Sequence, residues 1–219
     1  MKILKGLLII IFALSTNNVF GYDKLTKRNY EESKTEKAVV VYGVNWGRQW
    51  GCAGVNNAQL QNLTFSPIDS KNGEDIVLNT PSKLLSEHTS RPYAILVDPG
   101  EYALIEFDIK IGKSSREVSH IKWRNLFENG KPVGGTFEVK AGEIVYIGDF
   151  GLDCAGDQPI PWRYYIQKED FGRYVAQLKK EYKFITDKQV IYRLFQTNKF
   201  GQIEKEKGTV HQEWTGLTQ

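Results

Sequence analysis

The amino-acid sequence predicts a mainly β protein: an antiparallel β-sandwich with a C-terminal α-helical appendage. Three observations carry this. Short β-branched and aromatic runs recur between Gly, Pro and Asn turn signals about every 8–12 residues, the rhythm of a sandwich. Within one run, Ile105, Phe107, Ile109 and Ile111 alternate with Glu106, Asp108 and Lys110, so one sheet face is apolar and the other charged. After Gln167 the period changes, and Phe171, Tyr174, Val175, Leu178 and Tyr182 recur at helical spacing.

The 219 residues are 41% hydrophobic, 25% charged and 12% aromatic, proportions of a globular chain with a core of its own. The formal charge is +3. Without Lys2 and Lys5, 27 basic residues face 26 acidic ones. A near-neutral chain has no electrostatic footprint for nucleic acid.

Residues 1–21 read as a secretory signal peptide. Lys2 and Lys5 form a basic start, Gly6 to Leu14 is apolar, and Val19 and Gly21 suit a cleavage site before Tyr22. The apolar run from Ile3 to Leu14 falls short of the roughly 20 residues a bilayer demands, and no transmembrane segment is expected in the mature chain. The expected address is periplasmic or secreted. Cys52 and Cys154 fit it. In an oxidising compartment an even pair without C-x-x-C spacing is most simply one disulfide. Closing a loop of about 100 residues is worth about 4.7 kcal/mol in the chain-entropy model.

Residues 22–37 are polar without hydrophobic period and read as a flexible leader. The sandwich spans 38–167. It opens on Ala38–Val44, a β-branched run suited to a buried strand. The Gly-, Asn- and Trp-rich stretch 45–62 reads as a long loop, and Leu63–Ile68 and Asp75–Leu78 as short strands. Tyr93–Val97 is expected to hairpin through Asp98-Pro99-Gly100-Glu101 onto the alternating strand. His120–Phe127 follows, then an Asn129-Gly130 turn. Phe137–Lys140 and Ile144–Ile147 flank Ala141-Gly142 as a second tight hairpin. Ile144–Ile147 is apolar on both faces and should be central. Trp162–Ile166 is the last strand. The helical segment 168–197 begins with Asp170 as cap, holds Val190, Ile191, Leu194 and Phe195 in a second helical or extended stretch, and packs on the sandwich. Residues 198–219 read as a polar tail.

PGEYALIEF (Pro99–Phe107) and FEVKAGEIVYIGDF (Phe137–Phe150) resemble a loose group of secreted proteins and lipoproteins of Gram-negative bacteria. That group carries a PGxY turn and an FxVxxGExVYxG hairpin some 30 residues later. The resemblance spans roughly Tyr93–Phe184. It implies a small sandwich of the transthyretin or carboxypeptidase-regulatory type in the cell envelope. Its motifs are turn and core residues, so they imply fold and not chemistry.

No catalytic constellation stands out. His88, His120 and His211 are scattered without metal-ligand spacing. G-x-S-x-G and the Gly-rich phosphate cradles do not occur. Asp149-Phe150-Gly151 copies three kinase letters without the rest of that signature. Asp149, Asp153 and Asp157 sit four apart and could offer oxygens to Ca²⁺, although turn-forming Asp explains them too. Asp98 and Glu101 flank a turn, and Asn62-Leu63-Thr64 matches a glycosylation acceptor. No cofactor is implied.

The aromatic loops are the best functional candidates. Tyr42, Trp46 and Trp50 surround Cys52, and Trp162, Tyr164 and Tyr165 follow Cys154. A disulfide would bring the two groups together, with Arg48 and Arg163 beside them. They read either as a core capping the bridge or as a patch, Trp46, Trp50, Trp162, Tyr164 and Tyr165, for an envelope protein or a glycan. The expected function is a non-enzymatic binding or accessory module of the envelope. The alternatives are a hydrolase of envelope glycans or peptides using Asp98, Glu101, Asp149 or Asp153, and a secreted virulence factor.

Overall fold

The computed structural model describes residues 24–68, 73–80, 92–114, 116–164 and 168–197, with the backbone alone at 162–164, 168 and 169. The expected signal peptide and polar tail lie outside these residues. In chain order the elements are α1 (Lys27–Ser33), β1 (Ala38–Val44), β2 (Gln49–Trp50), β3 (Asn57–Pro67), β4 (Ile76–Asn79), β5 (Tyr93–Val97), β6 (Gly100–Gly112) and β7 (Val118–Arg124). There follow β8 (Phe127–Glu128), β9 (Lys131–Pro132), β10 (Thr136–Val139), β11 (Ile144–Asp153), β12 (Ile160–Tyr164), α2 (Lys168–Glu181) and β13 (Ile191–Tyr192). The protein is mainly β.

Two sheets hold most of the strands. A five-stranded sheet runs β12-β11-β1-β5, with β13 also on β11. A six-stranded sheet runs β10-β6-β3-β2, with β4 on β3 and β7 on β6. The six-stranded sheet is antiparallel throughout. The five-stranded one is mixed, because β11 runs parallel to β1 and to β13.

Alternation along the strands explains the layers. Ala38, Val40, Tyr42 and Val44 of β1 join Val145 and Ile147 of β11 and Ile95 and Val97 of β5 in one core cluster. Leu60, Leu63, Phe107 and Ile109 of the six-stranded sheet complete it. The intervening residues, Val39, Val41, Ala94, Leu96, Ile144 and Tyr146, enter a second cluster. There they meet Leu25, Tyr30, Leu178, Tyr182 and Ile185 from the helical segments. Strands apolar on both faces thus sit in the sheet covered on both sides. Ile144–Ile147 is central, as its composition predicts.

Both expected hairpins are instead crossings between sheets. Tyr93–Val97 pairs antiparallel with β1, while β6 pairs with β3, β7 and β10, so the Asp98-Pro99 turn carries the chain from one sheet to the other. The Tyr102 hydroxyl donates to the Asp98 carbonyl at 2.9 Å and secures that turn. Likewise β10 pairs with β6, and β11 with β1. At this second crossing Arg193 closes on the Glu143 carboxylate at 2.7 and 3.1 Å. The physical reason is face matching. A strand with two apolar faces cannot lie in a sheet whose outer face meets water.

Other expectations are corrected locally. The stretch 22–37 carries helix α1, capped by Thr26 in a capping box and anchored by buried Tyr30. Stretch 45–62 is not all loop, since β3 starts at Asn57. Asp170 lies inside α2 and pairs with Arg173 at 2.8 Å, so it is no cap. Val190 to Phe195 is extended, with β13 within it. Asn129 and Gly130 both take positive φ (52° and 74°) between β8 and β9, the turn that Asn-Gly favours.

Candidate functional site

Cys52 and Cys154 form the disulfide, with Cα atoms 4.6 Å apart. It joins the end of β2 in one sheet to the end of β11 in the other. The backbone around Cys52 is tied at several further points. The Ala53 amide donates to the Cys154 carbonyl at 3.2 Å, Gly51 to Asn56 at 2.9 Å, and Val55 to Cys52 at 3.0 Å. The Gln59 side chain donates to the Trp46 carbonyl at 2.8 Å, and Asn45 Oδ1 accepts from the Gly47 amide at 2.9 Å. Ala53 is held at φ 48°, a left-handed conformation costing an L-residue about 1–2 kcal/mol. The corner is a stiff, cross-linked turn.

Its two tryptophans diverge. Trp46 is buried at 3% exposure and belongs to the core, which corrects its place in the expected patch. Trp50 is 67% exposed. The Arg48 guanidinium lies 5.5 Å from the Trp50 ring centroid, a cation–π arrangement. Among the described residues only Trp50 and Val118 are large hydrophobic side chains left exposed.

Register joins these two. Trp50 pairs with Asn57, Asn57 with Gly112, and Gly112 with Val118. They therefore occupy one row across β2, β3, β6 and β7. Directly opposed residues point to one face. Ala58, next to Asn57, is in the core, so the row lies on the outer face of the six-stranded sheet. At about 4.8 Å per strand, Trp50 and Val118 stand about 14 Å apart. Gly112 makes the floor between them, with the Asn57 amide over it, where a Cβ would come 2.6 Å from Nδ2. The next outward row holds Gln59, Lys110 and His120. The result is a polar face with an aromatic post at one end and an aliphatic one at the other.

Val118 escapes sequence reasoning because its exposure depends on register with Gly112. Trp162 and Tyr164 lie on β12, opposite Gly151 and Asp149, with only their backbone described, and Tyr165 lies outside the described residues. Tyr42 is buried and stacks on Tyr93 at 5.4 Å.

The candidate carboxylates sit in separate environments. Asp98 is exposed and pairs with Lys37 at 3.1 Å, and Asp153 accepts from the Ala155 amide at 2.8 Å. Among the described residues no group of three His, Cys, Asp or Glu side chains could hold a metal, so Asp149, Asp153 and Asp157 do not gather as a calcium site. Asn62 lies within β3 between β4 and β6, and its Thr64 is buried, which is not the surface loop a glycan acceptor occupies. His120 Nδ1 lies 2.7 Å from Asp108 Oδ1, and Lys122 is 3.3 Å from the other oxygen, a surface ladder between β6 and β7.

Asp149 is different. It is one of two buried polar or charged side chains among the described residues. Between the pairs Val41–Tyr146 and Gly43–Asp149, β11 has one residue more than β1. This is a bulge, with Gly148 at φ 107°. It sends Phe150 into the core and turns Asp149 toward Tyr146 and α2. Burial raises the carboxyl from its ordinary 3.8 to about 7, opposed by hydrogen bonds from the Tyr146 side chain and the Gly43 amide.

Neither a known protein-family model nor any curated protein matches this chain. No helix among the described residues is long and apolar enough to cross a membrane.

Proposed function

We propose that the protein is a non-enzymatic binding module of the cell envelope, periplasmic or secreted. Its ligand is an envelope protein or a glycan, and it engages the outer-face row from Trp50 to Val118. One observation carries the reading: the two large hydrophobic residues exposed among the described ones stand on one cross-strand row beside a disulfide-stiffened corner. A rigid exposed aromatic loses little conformational freedom on binding, and Trp and Arg are the usual anchors of such contacts. The amides of Asn57 and Gln59 suit hydroxyl-rich or peptide ligands. The two sheets around one core are read as a β-sandwich of the transthyretin type. The extracytoplasmic address rests on the N-terminal sequence pattern and agrees with a disulfide.

Co-sedimentation of purified protein with isolated envelope fractions tests this. Wild type is expected in the pellet, with Trp50→Ala and Val118→Ser shifted to the supernatant while their melting temperatures stay unchanged. Equal sedimentation of all three, or of none, overturns the proposal.

A further inference from the structure

We propose that Asp149 acts as a proton-operated latch for helix α2: protonated, it lets the helix lie on the five-stranded sheet, and ionised, it favours the helix lifted away. The geometry is that of a carboxylate shut in with no ion-pair partner among the described residues. Asp149 is only 8% exposed. Its Oδ1 lacks a hydrogen-bond partner, and the Tyr174 hydroxyl of α2 is likewise buried and unpartnered. Burial first, and then repulsion from Asp149, raises the ionisation point of Tyr174, so the two groups lie within electrostatic range of each other.

The groups bearing on Asp149 can be taken element by element. From β11 itself comes Tyr146, from β1 the Gly43 amide, and from α2 Tyr174. Tyr192 of β13 packs on Tyr146 at 5.8 Å. On β12, Tyr164 stands opposite in register, after Arg163. The charged residues of the first turns of α2 are Lys168, Glu169, Asp170 and Arg173, of which Asp170 and Arg173 pair with each other on exposed side chains. Among the described residues, no cation forms an ion pair with Asp149. A buried carboxylate in this setting is tolerated neutral and penalised charged.

The helix is the element able to respond. Its N-terminal half meets the sheet through half-buried Phe171, Tyr174 and Val175, and among the described side chains of the helix only Leu178 is fully buried. Beyond it, Tyr182 hydrogen-bonds the Ala94 backbone and Ile185 is fully buried, so the C-terminal end is pinned. Lifting the N-terminal half would hydrate Asp149 without breaking the sheet.

The sign follows from linkage. The lifted state releases the proton at the ordinary Asp value and the docked state only at about 7. Between those values opening releases one proton, so its equilibrium constant rises about tenfold per pH unit, then levels off.

Hydrogen exchange on the full chain from pH 5 to 8, corrected for intrinsic rates, tests the latch. Peptides covering 168–178 are expected to lose protection by about tenfold per unit up to pH 7, with β1 and β11 more protected than α2 throughout. In Asp149→Asn the loss with pH disappears. Equal protection of α2 and β11, a flat wild-type profile, or an unchanged slope in Asp149→Asn overturns the proposal. Should that variant fail to fold, carbon NMR of the wild-type Asp149 carboxyl decides. A midpoint near 7 shared by the Tyr174 ring signals supports the latch, and a midpoint near 4 overturns it.

Discussion

The Asp149 carboxylate lies against the bare Cα of Gly43: a Cβ built on Gly43 would come 2.4 Å from Oδ1 and 2.8 Å from Cγ. The β11 bulge that turns Asp149 toward α2 therefore depends on a glycine in the neighbouring strand. Gly43→Ala forces either the carboxylate or the β1 backbone to shift. The expected cost is about 1–3 kcal/mol, the range for overpacking a filled core. Urea denaturation measures it.

Stability should carry the signature of a buried acid. Below the ordinary Asp value of 3.8 both folded and unfolded chains hold the proton, and the group is neutral toward folding. Between 3.8 and about 7 only the folded chain holds it, so its contribution falls as pH rises, then levels. At 1.36 kcal/mol per unit the full loss is about 4 kcal/mol. Asp149→Asn should therefore gain on wild type progressively from pH 4 to 7. Denaturation curves of both proteins at each pH check this, and the difference between them isolates the group from other carboxylates.

Trp46 and Trp50, four residues apart, should behave oppositely. Trp46→Ala empties a core position and should cost about 3–5 kcal/mol. Trp50→Ala removes an exposed ring and should leave stability within about 0.5 kcal/mol. Thermal melts of the two variants separate the roles.

Reduction of Cys52–Cys154 opens a loop of 102 residues' separation that joins the two sheets. The expected loss is about 4.7 kcal/mol by the chain-entropy model. It should appear as a lower urea midpoint in reductant, and Cys52→Ala with Cys154→Ala should reproduce it without reductant.

Much of this fold is legible in the sequence, and the exceptions share a cause. Ala38–Val44, Tyr93–Val97 and Ile144–Ile147 announce themselves as buried strands because both their faces are apolar. Ile105 to Ile111 announces one wet face. Those two patterns already sort the strands into a doubly covered sheet and a singly covered one. Proximity along the chain argued for hairpins instead, and burial on two faces outweighed it. Helix α1 is hidden because Tyr30 is its single buried residue, too little to show a period.

The candidate site was legible by half. The disulfide follows from two cysteines and an expected compartment, and Trp50 from its setting beside Cys52. Val118 and Gly112 needed the register of four strands. Asp149 needed the bulge, because regular alternation from Val145 and Ile147 would place it in the core face where Phe150 now lies.

Site-specific photo-crosslinking in the native host tests the central claim most directly. A photoreactive residue at Arg48, beside the row, is compared with one at Lys180, on the exposed surface of α2. The account predicts one reproducible envelope species captured from position 48, absent from position 180, and lost when Trp50→Ala is added. The same species captured equally from both positions, or kept in the Trp50→Ala background, would contradict it.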